Sequence, residues 1–317
     1  MITNWHQLEP WRADWGHLGA SWTDLVGRAA ERVGAKRIAI EPGRWSTPLH
    51  VEQAEEIFYV LAGDGVSLQW DDGDTSAYEV HAGDCLVHRA NAEAHTLRAG
   101  PGGLDVIAFG ERPLGGSAFL PRAGVSWLGH TWVLAGDPQH RPWKREVEAG
   151  EPDVPAPSER PERIVNVADV EPMLVWERTT VRSTWRDLAR AAGSSRTGLR
   201  YVTVEPDAYM APPHSHSAED ELFVVLEGSG TVELWPSPRY GGEREEYPLA
   251  PGTTLARPAG THLAHALRAG PDGLTVLAYG TRVPNDITFY PRSGKVSLRG
   301  VGVIGRLEQL DYWEGED

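Results

Sequence analysis

The sequence predicts an all-β protein made of two tandem barrels with a few short flanking helices. Three observations carry that expectation. The chain repeats itself over most of its length, its apolar runs are short and punctuated by glycine and proline, and its 317 residues suit two compact domains.

The repeat is the first of these. Residues 94–112 read AHTLRAGPGGLDVIAFGER and residues 264–282 read AHALRAGPDGLTVLAYGTR, identical at 13 of 19 positions. Glu41-Pro42 pairs with Glu205-Pro206 at an offset of 164, and EIFYVLAG (56–63) pairs with ELFVVLEG (221–228) at 165. FLPR (119–122) pairs with FYPR (289–292) at 170. The offset grows in polar stretches, most of all in WPSPRYGGEREE (235–246), a longer hairpin loop than WDDGDTSA (70–77). Insertions of that kind fall in surface loops and leave the strands intact.

Within each half, Arg37–Ile40, Ile57–Leu61, Val66–Trp70 and Asp105–Phe109 read as strands, and many short strands imply a sandwich or a closed barrel. Trp22–Arg32 and Trp185–Ala192 read as short helices outside the barrels. The Pro-rich, charged stretch 137–163 reads as an extended linker between an N-terminal barrel at 1–136 and a C-terminal barrel at 164–317.

A net charge of -15 and the absence of a basic run argue against nucleic acid and anionic membranes as partners. A single cysteine, Cys85, forbids an intramolecular disulfide and reads as a buried, inert thiol. No apolar stretch approaches the roughly 18 residues of a membrane span, and no signal peptide is evident, so a soluble cytoplasmic protein is expected.

The chemistry concentrates in the second half. His214 and His216 are two apart, so on a strand both side chains leave one face. Glu221 opens the next strand and His265 comes from a later one. Imidazoles with one carboxylate suit a divalent first-row metal (Fe, Mn, Ni or Zn), and four ligands leave positions open for water or substrate. The neighbours Glu219 and Asp220 read as a solvated loop, and His88 as a residue of a turn or pocket edge.

This pattern resembles the cupin superfamily. One family motif runs His-x-His, three or four residues, Glu, and a glycine about six further on; His214, His216, Glu221 and Gly228 match it. A second runs from a glycine through Pro-x-Gly to a histidine; Gly252, Pro258, Gly260 and His265 match it, with the last gap two residues longer. His262 is therefore a rival, but His265 aligns internally with His95. The resemblance implies a two-domain bicupin whose barrels are double-stranded β-helices (jelly rolls), and by the same resemblance a homodimer.

The first half departs from the motif. His50 stands at the position of His214, Glu52 replaces the second histidine, Glu56 matches Glu221 and His95 matches His265. His50, Glu52, Glu56 and His95 either hold a second metal or form a pocket that has lost one.

The resemblance implies a metal-dependent enzyme of dioxygenase type acting on a small organic molecule, with Glu221 also able to serve as a base. A metal-dependent isomerase or lyase acting on a sugar or keto acid, and a non-catalytic binding or sensor protein, are the alternatives.

Overall fold

The computed structural model describes residues 1–27, 29–71, 73–113, 115–128, 131–134, 142–238, 241–308 and 310–316, with backbone alone at 131–134 and 142. Two eight-stranded antiparallel sheets dominate it, and their strand orders match. The first runs Ile164–Asn166, Asp84–His88, Glu56–Asp71, Ala94–Glu111, Val33–Ile40, Leu18–Asp24 and Trp11–Trp15, with Asp74–His81 folded back on Glu56–Asp71. The second runs Ile2–Asn4, Thr253–Arg257, Glu221–Pro236, Leu263–Thr281, Thr197–Val204, Arg182–Asp187 and Leu174–Glu177, with Glu245–Leu249 folded back on Glu221–Pro236.

The outermost strands are exchanged between halves. Ile2–Asn4, from the start of the chain, pairs with Thr253–Leu255 of the second barrel. Ile164–Asn166 pairs with Asp84–Leu86 of the first. Each strand covers an edge that would otherwise present unpaired backbone groups.

A smaller four-stranded sheet completes each jelly roll: Val51–Glu52 with Ser117–Leu120, Val125–Leu128 and Thr131–Leu134, and Ser215–His216 with Ile287–Tyr290, Lys295–Leu298 and Val303–Arg306. The all-β, two-barrel expectation from the repeat therefore holds.

The central strands are buried on both faces. Phe223 and Val225 enter the second barrel's interior, whereas Leu222 and Val224 join a cluster shared with the first barrel. Phe58 and Val60, and Ile57 and Tyr59, divide in the same way. Alternation along a strand thus builds two barrel cores and the seam between them. Phe109 stacks on Tyr279 at that seam, ring centroids 5.0 Å apart, and Cys85 is buried in the same cluster. Burial pushes the Cys85 thiol up, consistent with an inert role.

Two carboxylates cross the seam and correct the expectation of a solvated Glu219-Asp220 loop. Asp220 is buried and accepts from Arg32 of the other half at 2.6 Å and from the Ala259 amide at 2.8 Å. Its counterpart Glu55 accepts from Ser194 Oγ and from both the amide and the hydroxyl of Thr197. Glu219 is buried too, held by Arg299 and the Val283 amide. Each buried charge has the partners it requires.

Two local expectations also change. Trp22–Arg32 contains no helix among its described residues: Leu18–Asp24 is a strand, and Asp24 then caps a turn through the Val26 and Gly27 amides. In the second half, Trp185 lies on the strand Arg182–Asp187, and only Leu188–Ala191 is helical, capped by Asp187. Hydrophobic residues at mixed spacing hid these strands.

Residues 137–141 of the expected linker lie outside the described residues. The rest is not free chain. Pro142–Glu148 is a helix; Trp143 packs against Trp11, Trp15 and Trp22, and buried Glu146 accepts from Arg122 at 3.0 Å. Its aromatic and acidic anchors outweigh the local proline content.

Both long strands bend at paired register shifts, at Val225/Glu227 and Gly228/Gly230 in the second barrel. The bends let Glu221–Pro236 pair first with Thr253–Arg257 and then with Glu245–Leu249. Gly228 sits at φ +79°, and a Cβ there would lie 2.2 Å from the Gly273 carbonyl oxygen. Gly228→Ala is expected to lower stability by at least ~2 kcal/mol in denaturant melts. Gly102→Ala, where a Cβ meets nothing within 4 Å, should change it by less than ~0.5 kcal/mol.

Candidate metal centre

Residues fifty-one apart in sequence meet because the backbone clamps them together. The His214 amide donates to the His265 carbonyl at 3.1 Å, and the His265 amide donates back to His214 at 2.9 Å. Such a reciprocal pair brings side chains together across the sheet. His50 and His95 make the same exchange in the first barrel, at 3.2 and 2.8 Å.

In the second barrel one ligand atom each from His214, Glu221 and His265 falls within 4.8 Å of the others, while the fourth expected ligand, His216, groups by that measure with Glu219 and Asp286. His265 Nε2 is 3.2 Å from Glu221 Oε2, and His216 Nε2 is 3.4 Å from the same oxygen. His214 directs its Nδ1 at the Pro212 carbonyl at 2.8 Å, leaving Nε2 for the site. His216 directs its Nδ1 at Asp286 Oδ2 at 2.6 Å, which turns its Nε2 toward Glu221. A carboxylate or carbonyl behind a histidine fixes its tautomer and raises its basicity, as at metal sites generally.

Two atoms test whether a cation fits. Glu221 Oε2 and His265 Nε2 are both buried and neither has a hydrogen-bond partner. An acceptor oxygen surrounded by imidazole nitrogens suits a divalent cation. Electrostatics agree. Burial alone would raise Glu221, but His216, His265 and His214 together hold it well below the usual carboxylate range. Burial lowers His265 to about 4 and also lowers His214. His216 is raised, because Glu221 and Asp286 outweigh its burial.

Asp286 is the residue the motif search missed. It is fully buried, binds His216, and accepts from the amides of Ala218 and Glu219 at 2.9 and 3.3 Å. Its signal lies in the repeat. At the offset of 170 it faces Gly116, in the half where Glu52 has replaced the second histidine. Ligand and supporting carboxylate are both absent there.

His262, the rival fourth ligand, is exposed, at φ +58°, and belongs to none of the clusters of potential ligand atoms.

The first barrel gathers a thinner set. His50, Glu56 and His95 cluster within 4.8 Å, with His95 Nε2 3.0 Å from Glu56 Oε2 and His50 Nε2 at 3.7 Å. Glu52 does not join that cluster. Burial, then the Glu56 charge, pushes Glu52 up to about 7. Glu56 outweighs burial to raise His50 to about 9, while burial and the neighbouring His88 take His95 down to about 3. His88 is no turn or pocket-edge residue: it is buried and stacks on His95 with ring centroids 3.7 Å apart. It faces Glu56 across the strand pair, where the second barrel has Arg257 opposite Glu221.

A cavity of about 250 Å³ opens beside the second-barrel cluster. His214, His216 and Glu221 form one wall, and Leu174, Trp176, Trp185 and Met210 form another.

A tandem pair of jelly rolls, each with inward-facing histidine and glutamate, defines the class. The cupin domain profile matches residues 36–104 and 200–277, and the chain belongs to the cupin superfamily as a two-domain bicupin. No curated protein matches the sequence. Solved structures of similar fold include the oxalate decarboxylase of Lactobacillus farciminis in a formate complex, at TM-score 0.62 and 14% identity, covering 90% of this chain and 88% of that one. The Bacillus subtilis oxalate decarboxylase at pH 4.6 aligns at TM-score 0.60 and 15% identity, covering 88% and 75%. A further B. subtilis structure, from a study of that enzyme's Mn(II) centres, aligns at TM-score 0.61 and 16% identity, covering 88% and 76%. At these identities the likeness is one of fold. Among the described residues no helix is long and apolar enough to cross a membrane.

His265→Ala is expected to abolish metal retention by the second barrel, measured as metal per chain after purification without chelator; His95→Ala should remove less. Asp286→Asn should weaken metal affinity by about 10- to 100-fold, measured by competition with a chelating dye.

Proposed function

We propose that this bicupin is a metal-dependent enzyme acting on a small organic molecule at the second barrel, with oxygenase chemistry as the leading reading. The observation that carries it is the buried meeting of Glu221 Oε2 with His216 and His265 at the edge of a cavity, two of those atoms lacking any other partner. His214, His216, Glu221 and His265 would hold the metal. When bound, a divalent first-row ion supplies Lewis acidity and, for Fe or Mn, one-electron chemistry.

The chain's own residues set the conditions. Pro212 and Asp286 fix the tautomers of His214 and His216, so their Nε2 atoms stay available. Apolar walls at Leu174, Trp176 and Met210 limit water and strengthen electrostatics inside. We assign Glu221 to metal ligation, because its Oε2 is buried against the ring nitrogens of His216 and His265 and has no hydrogen-bond partner.

A second reading is non-redox cleavage or isomerisation of an organic acid, supported by the fold shared with oxalate decarboxylases. Mn, Fe, Ni and Zn forms should be tested for oxygen uptake with catechols and flavonols, and for CO2 and formate release from oxalate. Oxygen uptake by the Fe or Mn form alone, lost in His265→Ala, is the expected result. Turnover by the Zn form without oxygen would replace the oxygenase reading with the lyase or isomerase one. Metal-loaded protein that turns over neither class would leave a binding protein.

A further inference from the structure

Of the arginines lining the cavity beside the ligand cluster, one is held by the fold only through a long ion pair. Arg299 is held by Glu219, and Arg282 by Asp187 and the Ser194 carbonyl. Arg200 also lines the cavity, yet its guanidinium makes no hydrogen bond among the described residues. Its Nε is buried without a partner, and Asp187 lies 3.8 Å away, already engaged by Arg282 and by the Arg190 amide it caps. With its side chain 39% exposed, the rest of the guanidinium can be reached by a bound anion.

The register places this cation at a useful distance from the ligands. Glu221 pairs across to Gly280 and Gly198, while Phe223 pairs across to Ala278 and Arg200 in the next inward-facing row. Two strand spacings and one pleat separate the backbones of Glu221 and Arg200 by about 12 Å. The side chains reach into the space between, so a small molecule could touch both ends.

The remaining walls are apolar and aromatic. Trp176 and Trp185 meet edge to face, centroids 5.5 Å apart, beside Leu174, Met210 and Ala211. At ~30 Å³ per water, the cavity's roughly 250 Å³ equals about eight waters. A very small dianion would leave the tryptophan walls uncovered.

Resting on the metal-site reading above, we propose that the second barrel selects a small acid with an apolar, planar body. Its carboxylate sits on Arg200, the oxygen beside that carboxylate faces the His214–Glu221–His265 cluster, and its body lies against Trp176 and Trp185. Arg favours carboxylates through its planar, multi-donor guanidinium, and aromatic walls favour planar bodies.

Isothermal titration of the full chain loaded with Mn(II) tests this with three probes. Phenylpyruvate carries body, carboxylate and a keto oxygen; phenylacetone lacks the carboxylate; oxalate lacks the body. We expect phenylpyruvate to bind at least tenfold tighter than either of the others. Arg200→Gln should bring phenylpyruvate to within about threefold of phenylacetone, and Arg200→Lys should restore part of the preference. Oxalate binding as tightly as phenylpyruvate would overturn the proposal, as would an unchanged preference in Arg200→Gln with a wild-type thermal melt. If that variant is unfolded, the three-probe order in wild type decides. Metal-free His265→Ala separates the two readings: a retained preference for phenylpyruvate over phenylacetone there would support the acid pocket while removing the need for a metal. Metal-loaded wild type without that preference would reject the pocket and leave the metal site standing.

Discussion

A buried carboxylate facing three imidazoles is the constraint around which the second barrel is arranged. Glu221 can be ionised in an apolar interior only because His214, His216 and His265 surround it, and those imidazoles need their other nitrogens fixed. The Pro212 carbonyl and the buried Asp286 supply that fixing for His214 and His216, and the reciprocal amide pair holds the His265 backbone beside that of His214. Asp286 in turn is held by the amides of Ala218 and Glu219, and Glu219 by Arg299. The support runs outward in contacts until it reaches the surface.

The first barrel shows what the same scaffold does when one part changes. Its backbone clamp between His50 and His95 is intact, and Glu56 still meets both rings. With Glu52 in place of a histidine and Gly116 in place of the supporting aspartate, negative charge replaces an imidazole, and the Glu52 carboxyl is driven up to about 7. His88 fills space against His95 where Arg257 stands in the other half. Duplicated geometry has been kept with altered chemistry.

The architecture was legible in the sequence because a repeat preserves strand order whatever its loops do. The ligand positions were legible because two-residue spacing and internal alignment locate them: His265 was separated from His262 by its match to His95 alone. Asp286 was not, since a supporting carboxylate has no fixed spacing from the ring it holds and comes from a turn seventy residues later. Glu219, Asp220 and His88 were misread for a related reason: charge and ring type describe a residue's cost of burial, not the partners that offset it. Trp143 and Glu146 likewise drew a proline-rich stretch onto the first barrel through contacts invisible in local composition.

The exchanged edge strands bear on how the chain acquires its shape during synthesis. A ribosome releases Ile2–Asn4 well before their partners Thr253–Leu255, which emerge some 250 residues later. The first barrel, for its part, waits for Ile164–Asn166 to cover Asp84–Leu86. Neither half is complete from its own strands alone, since each takes an edge strand from beyond its own stretch of chain. Closing such a distant pairing is slow relative to local hairpins. The seating of Ile2–Asn4 on Thr253–Leu255 thus acts as a latch between segments far apart in the chain.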